Sequence, residues 1–320
     1  MGQGEYSYTF PHRGLIAASA LNRVDLELIF DSARAHLARN RTEDKKHPSL
    51  KGLTVINLFF EASTRTLASF EIAAKRLGAD VVNFSAGNAS LKKGETLADT
   101  ANTLAAMQPD LLVVRHPSPG AAEFFQRTTG ISTINAGDGA NEHPTQALLD
   151  LFTLGEHLGD VGGKRIAIIG DILHSRVARS NVALLSLMNA DIRLCGPASL
   201  LPADADRWGA SVFHSVEAAI EGCDAVMVLR LQRERMSSGL IPSAREYAAI
   251  YGLDHARLSL ANQDCIVMHP GPMNRGIEIN SALADDTDMS VILDQVEAGV
   301  AVRMAVLELL AGRGMQEMVP

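Results

Sequence analysis

The chain has 320 residues, enough for two domains with separate cores, since a single hydrophobic core stops growing near ~250–300 residues. A hydrophobic content of 47% with 21% charged residues fits an ordinary globular protein and excludes a disordered chain. The net charge of −8 excludes nucleic acid as the main partner, because a phosphate backbone demands a basic face, and small anions would need locally clustered arginines instead.

Residues 1–13 are polar and lack the apolar centre of a signal peptide, and no apolar run is long enough to span a bilayer. A cytoplasmic location without membrane contact is expected. The three cysteines, Cys195, Cys223 and Cys265, lack Cys-x-x-Cys spacing and read as reduced, small apolar residues beside strands rather than metal ligands or nucleophiles. Asn22 with Asp25 three residues later marks a helix start, after which Leu26, Ile29, Phe30, Ala33 and Leu37 share one face. Residues 40–51 form a charged surface loop, and 53–59 a buried strand. Strand and helix then alternate: 80–84 extended, 96–108 helical, 111–115 extended, 120–129 helical, 132–135 extended. A glycine-rich break at 155–163 precedes a second alternation, with strands at 165–170, 191–195, 224–229 and 265–268 and a weakly marked helix between the middle two. A last apolar helix, carrying Val291, Val296, Val300, Val302, Met304, Ala305, Leu307, Leu309 and Leu310, is expected to be buried.

Such alternation predicts an α/β protein with two doubly wound parallel-sheet domains joined by crossing helices. Residues 1–145, completed by 291–320, form the first domain and 146–290 the second. In sheets of this kind ligands gather beyond the carboxyl ends of the strands.

The candidate residues fall at those ends. Residues 59–71 read Phe-Phe-Glu-Ala-Ser-Thr-Arg-Thr-Leu-Ala-Ser-Phe-Glu, so Ser63, Thr64, Arg65 and Thr66 open a helix. Unpaired amides and the positive end of the dipole there, with hydroxyls and a guanidinium added, suit a phosphate; Ser-Thr alone would be an ordinary cap. Arg115 ends another strand. Gly-Asp-Gly-Ala-Asn-Glu-His-Pro-Thr-Gln at 137–146 puts His143 just outside a helix start, where the dipole favours a neutral imidazole able to donate to a carbonyl oxygen. Gly170-Asp171 after the 165–170 strand lacks the second and third glycines of a dinucleotide fingerprint, so no nicotinamide cofactor is expected. Arg176 and Arg179 open the following helix, and Arg230 and Gln232 follow the 224–229 strand at alternating spacing, positions suited to a carboxylate. Residues 236–243 could serve as a lid. The run His269-Pro-Gly-Pro-Met-Asn-Arg-Gly-Ile-Glu fixes an irregular backbone whose carbonyls could face an amine or amide.

Taken together, these stretches, with 90–96 and 113–117, resemble the ordered motifs of the aspartate and ornithine carbamoyltransferase family over nearly the whole chain. The resemblance implies transfer of a carbamoyl group from carbamoyl phosphate. Ser63, Thr64, Arg65 and Thr66 would hold the phosphate; Thr66, Arg115 and His143 would polarise the carbamoyl oxygen, and Gln146 would also contact the carbamoyl group. Arg176, Arg230 and Gln232 would grip two carboxylates, and Gly271 and Pro272 would offer carbonyls to the amines. Ser90 and Lys93 would reach the active site of the next subunit in a homotrimer with shared sites. Ornithine enzymes carry His-Cys-Leu-Pro and a Ser-Met-Gly segment where this chain has His269-Pro-Gly-Pro and Arg230-Leu-Gln-Arg, so the arginines favour the aspartate branch, which supplies pyrimidine synthesis. An ornithine-type transferase and a non-catalytic scaffold are the alternatives, the second disfavoured by the presence of Arg65, Lys93, Arg115 and His143. No metal or other cofactor is implied, and assembly beyond the trimer, with regulatory chains or a dihydroorotase, is left open. Leu67, Arg179 and a shortened 90–93 loop depart from the family pattern.

Overall fold

The computed structural model describes residues 10–85, 95–232 and 243–312. They divide into two compact units: the first takes residues up to 16, then 20–138 and those from 300 onward, the second residues 17–19 and 139–299.

In the first unit, strands β1 (Gly14–Leu15), β2 (Thr54–Phe59), β3 (Asp80–Ser85), β4 (Leu111–His116) and β5 (Ser132–Asp138) pair in the order β1-β5-β4-β2-β3. All these pairings are parallel. A parallel sheet is covered on both faces, so its strands read as unbroken apolar runs: Leu111, Leu112, Val113 and Val114 are all buried. Helices α1 (Arg23–Asn40), α2 (Thr64–Arg76), α3 (Leu97–Ala106) and α4 (Ala121–Thr129) supply the cover. The start of α1 is a closed capping box, with Asp25 N–H donating to Asn22 Oδ1 at 3.0 Å and Asn22 N–H to Asp25 Oδ2 at 2.9 Å. Thr96 and Asp99 build the same device on α3.

The second unit repeats the plan. Helix α5 (Pro144–Leu158) precedes β6 (Arg165–Ile169), α6 (Arg176–Leu187), β7 (Asp191–Cys195), β8 (Ser211–Phe213), α7 (Val216–Ile220), β9 (Ala225–Val228), α8 (Ala244–Tyr251), α9 (His255–Leu258), β10 (Ile266–Met268) and α10 (Ser281–Ala284). The sheet order is β10-β9-β6-β7-β8, again wholly parallel. Ile166, Ala167, Ile168 and Ile169 are buried, and Cys195, Cys223 and Cys265 join the core on one side of this sheet.

Helix α11 (Ile292–Leu310) is continuous across the division, residues 300–310 belonging to the first unit. There Arg303 lies 5.1 Å over the Phe70 ring and donates to Ser69 Oγ at 2.9 Å. The apolar breadth of α11 predicts burial throughout, and residues 301–309 obey; Val296 does not, being 55% exposed beside Leu293 at 78%. Strands β1 and β8 and helices α8, α9 and α10 have no counterpart in the sequence reading, and the weakly marked helix before β9 contracts to the five residues of α7.

Both sheets reverse their winding once. In the first, β3 lies on one side of β2 and β4 on the other; in the second, β7 and β9 flank β6 in the same way. The carboxyl ends of β2 and β4, and of β6 and β9, therefore border the crevices where such folds bind ligands.

Candidate active site

At the first crevice, β2 runs through Phe60 to Ser63 into α2. Phe59 is the register partner of Arg115 on β4, and Phe60 N–H donates to Arg115 O at 2.8 Å, so the turn before α2 and the end of β4 are held side by side. Ser63 caps α2 with extended backbone but makes no side-chain cap hydrogen bond. Among the described α-helices, the other Ser, Thr and Asn caps, Asn22, Thr96, Ser175, Ser215, Ser243 and Asn280, each accept from a backbone N–H of their own first turn. The Ser63 hydroxyl and the first-turn amides of α2 are thus not spent on each other. This turn contains Arg65 and no acidic residue; Thr64 and Arg65 are exposed, Ser63 half-buried and Thr66 buried. It is an anion-binding geometry.

Arg115 is buried, and its guanidinium is aimed by two acceptors, Nη1 donating to Ala136 O at 3.2 Å and Nη2 to Glu61 Oε1 at 2.8 Å. Glu61, inside the 59–71 stretch, is a partner that no residue pattern announces. On the neighbouring strand, Asp138 accepts from Gly120 N–H at 2.7 Å and Asn135 Nδ2 at 2.9 Å, stiffening the loop beyond β5. Beside Arg115, burial lowers the basicity of His116, whose Nδ1 accepts from Ser118 N–H at 2.9 Å. A neutral His116 adds no competing cation at the crevice.

In the second unit, His143 is the N-cap of α5, with Pro144 as the first helical residue. Its backbone N–H donates to Ser180 Oγ at 2.9 Å; Ser180 in turn donates to the Glu142 carboxylate, which also accepts from Ala18 N–H at 3.3 Å. Glu142 and Ser180 fix where the buried His143 stands, and nothing in their spacing of 38 residues announces it. One turn on, Gln146 is buried and donates to Asp150 Oδ1 at 2.9 Å.

Arg176 opens α6 beyond the end of β6, buried, with Nη1 donating to Gly139 O at 3.1 Å. Arg179, by contrast, stacks its guanidinium 4.6 Å over the Trp208 ring. The exit of β6 is Gly170 at φ +132°, where a Cβ would come within 2.9 Å of Leu229 O; glycine is required by close strand exits, not by a dinucleotide. Asp171 behind it is fully buried, and burial raises its pKa against the hydrogen bond from His174 Nδ1 at 2.8 Å. After β9, Leu231 is buried while Arg230 and Gln232 on either side are half-buried, the alternation expected of them. Gly271 is half-buried and Pro272 exposed on the loop after β10. Since β10, β9 and β6 are adjacent, Gly271 and Pro272, Arg230 and Gln232, and Arg176 line one sheet edge.

Ser90, Lys93 and nearly all of the 236–243 segment lie outside the described residues. The cysteines are inert where they sit: burial pushes the thiols of Cys195 and Cys265 up to about 12 and that of Cys223 to about 11. Among the described residues no group of three or more His, Cys, Asp or Glu is arranged to hold a metal ion, and no helix is long and apolar enough to cross a membrane.

Two parallel-sheet units, each with cationic side chains at its winding reversal, are suited to small anionic ligands, and the sequence matches assign the family. Residues 13–156 match the aspartate/ornithine carbamoyltransferase carbamoyl-phosphate binding domain and residues 162–310 the Asp/Orn binding domain of the same family. The chain belongs to the aspartate/ornithine carbamoyltransferase family. It is 62% identical over 310 residues, 97% of either chain, to the aspartate carbamoyltransferase catalytic subunit of Maricaulis maris. It is 56% identical over 302 residues to that of Parvibaculum lavamentivorans, covering 94% of this chain and 92% of the relative. The aspartate transcarbamoylase of Trypanosoma cruzi solved with carbamoyl phosphate and aspartate superposes with a TM-score of 0.82 at 35% identity, covering 92% of this chain and 95% of that one. The ornithine carbamoyltransferase of Pyrococcus furiosus superposes with a TM-score of 0.84 at 25% identity, covering 94% and 98%.

Proposed function

We propose that this protein is the catalytic chain of an aspartate carbamoyltransferase, transferring the carbamoyl group of carbamoyl phosphate to the α-amine of L-aspartate for pyrimidine synthesis. The observation that carries the reading is the α2 start: a helix N-terminus whose capping hydroxyl is left open, with Arg65 in its first turn and Arg115 held beside it. Relatives 62% and 56% identical to this chain are named aspartate carbamoyltransferase catalytic subunits.

In this reading Ser63, Thr64, Arg65 and Thr66 bind the phosphate through hydroxyls, amides and the guanidinium. Thr66, Arg115 and His143 donate to the carbamoyl oxygen, and Gln146 to or from the same group. Arg176, Arg230 and Gln232 hold the carboxylates of aspartate, while carbonyls at Gly271 and Pro272 face the amines. The neutral amine attacks the carbamoyl carbon, a C–N bond forms, the C–O bond to phosphate breaks, and the amine proton leaves with the phosphate. Donors fixed on the carbonyl oxygen act where negative charge develops, and each such donor is worth roughly 10²–10³ in rate. Two anions are brought together only because clustered cations offset their charge.

Residues 1–145 with 291–320 carry the carbamoyl-phosphate half and 146–290 the aspartate half. Ser90 and Lys93 complete the site of a neighbouring subunit, which makes the working form a homotrimer in the cytoplasm. The deciding experiment offers purified protein carbamoyl phosphate with L-aspartate or L-ornithine and follows carbamoylated product and phosphate. Product with aspartate alone is expected; product with ornithine alone overturns the amino-acid assignment, and product with neither overturns catalysis. Mixing Lys93→Ala with Arg65→Ala chains, each inactive, restores part of the activity if sites are shared.

A further inference from the structure

Asp150 stands on the buried face of α5, one turn beyond Gln146, and is itself fully buried. Its Oδ1 accepts from Gln146 Nε2 at 2.9 Å and from Gln295 Nε2 at 2.7 Å, and its Oδ2 accepts from Asn181 Nδ2 at 2.8 Å. The three donors come from α5, α11 and α6. Beyond Gln295 the chain of bonds continues: Gln295 Oε1 accepts from the backbone N–H of His269 at 2.9 Å, and His269 Nδ1 accepts from Gly271 N–H at 2.8 Å. An Nδ1 that accepts leaves the ring proton on Nε2, which faces Glu278 Oε1 at 3.4 Å in a fully buried pair.

A carboxylate only accepts, and this decides the orientation of two amides at once. Facing Asp150, Gln146 must present Nε2 to it and turn Oε1 away. Gln295 must likewise present Nε2, which leaves its Oε1 for His269. Were the central group a neutral amide, either glutamine could present the opposite end, and the orientation of one would no longer follow from that of the other. Charge-assisted bonds to a buried group are also the strong ones, so the arrangement is stiff. Its two ends are a site residue on α5 and the loop carrying Gly271 and Pro272.

We propose that Asp150 is a positioning residue that orients Gln146 and, through Gln295, the 269–272 loop, so that the amide facing the carbamoyl group and the carbonyls facing the amines are set together. The role of the two ends rests on the carbamoyl-transfer reading above. Asn181 ties the same carboxylate to α6, the helix that Arg176 opens, so the amino-acid side shares the anchor.

The test is a mutant cycle joined to hydrogen exchange. Asp150→Asn keeps the side-chain volume and is expected to lower kcat about tenfold or more, a misplacement effect, with a smaller change in KM for aspartate. In a Gln146→Leu/Gln295→Leu background the same substitution is expected to change kcat less than about twofold, because both groups through which Asp150 acts are gone. An equal fall in both backgrounds, or no fall in the native one, overturns the proposal. Independently of turnover, peptides covering 266–276 are expected to take up deuterium faster in both Asp150→Asn and Gln295→Leu than in the native chain. Gln295→Leu interrupts the path from its far end, so it serves if the Asp150 variant does not fold. Unchanged uptake in the folded variants refutes the link even if the native chain transfers no carbamoyl group, whereas a native chain inactive with normal exchange effects refutes only the assigned reaction.

Discussion

Glu308 on α11 is the sharpest point at which to test how the first unit is held together. Its carboxylate is buried and accepts from His36 Nε2 at 2.9 Å and Ser32 Oγ at 3.1 Å, both on α1, with His47 Nδ1 3.4 Å from its other oxygen. Burial works to raise its pKa, but the His36 hydrogen bond and charge, Ser49 and His47 prevail and hold it below the ordinary glutamate range. Glu308→Gln preserves shape, so no cavity contributes. It exchanges two hydrogen bonds to a charged acceptor for neutral ones, roughly 1 kcal/mol each, and turns an amide donor toward groups that donate, about 1 kcal/mol more. A loss of about 3 kcal/mol is expected, read as the urea midpoint times the slope at pH 7. Because the native-state pKa is lowered, the carboxylate's contribution is present above the unfolded value near ~4.3 and lost as pH falls through the folded one. The gap between native and Glu308→Gln should therefore close in acid. Asp31→Asn on α1 is the control: its pair with Arg34 is 64% and 52% exposed, and it should cost below about 0.5 kcal/mol. If Glu308→Gln costs no more than Asp31→Asn, or if the gap stays constant down to pH 3, the reasoning from burial and pairing is wrong.

Further outcomes follow from single features. Iodoacetamide at pH 8 should leave Cys195, Cys223 and Cys265 unmodified in the folded chain and label all three in urea, as burial keeps the thiols protonated; rapid labelling of the native chain, seen by mass spectrometry, would contradict it. Asn22→Ala opens the α1 capping box and should cost about 1 kcal/mol in urea unfolding, with Asn22→Asp nearly neutral. Arg65→Ala, at an exposed first-turn position, should cut turnover by roughly 10² or more with an unchanged unfolding midpoint, and a parallel fall in stability would mean the residue is structural.

The fold was legible wherever a local rule sufficed. Short unbroken apolar runs such as 111–114, set between helical stretches, read as strands buried on both faces, and Asn22 with Asp25 closes a cap within four residues. Strands of two and three residues, β1 and β8, are too short to show a period, and they form because a neighbouring strand already offers a ladder. Val296 was expected inside because an apolar stripe states what can be buried, not what covers it.

The same division runs through the site. Ser63 to Thr66, Arg115, His143, Arg176, Arg230 and Gln232 stand at strand ends, and strand ends are visible in sequence once the alternation is seen. Their supports are not. Glu61 reaches Arg115 across 54 positions, Ser180 reaches His143 across 37, and Gln295 reaches Asp150 across 145. A contact of that span has no period and no motif; it exists only after the sheet order has set which helices and strand ends are neighbours. The groups proposed to touch substrate thus announce their chemistry by residue type, while the groups that aim them owe their place to geometry that only the fold supplies. Substitutions at Glu61, Ser180 or Asp150 should therefore change how well the site works without changing which anions it recognises.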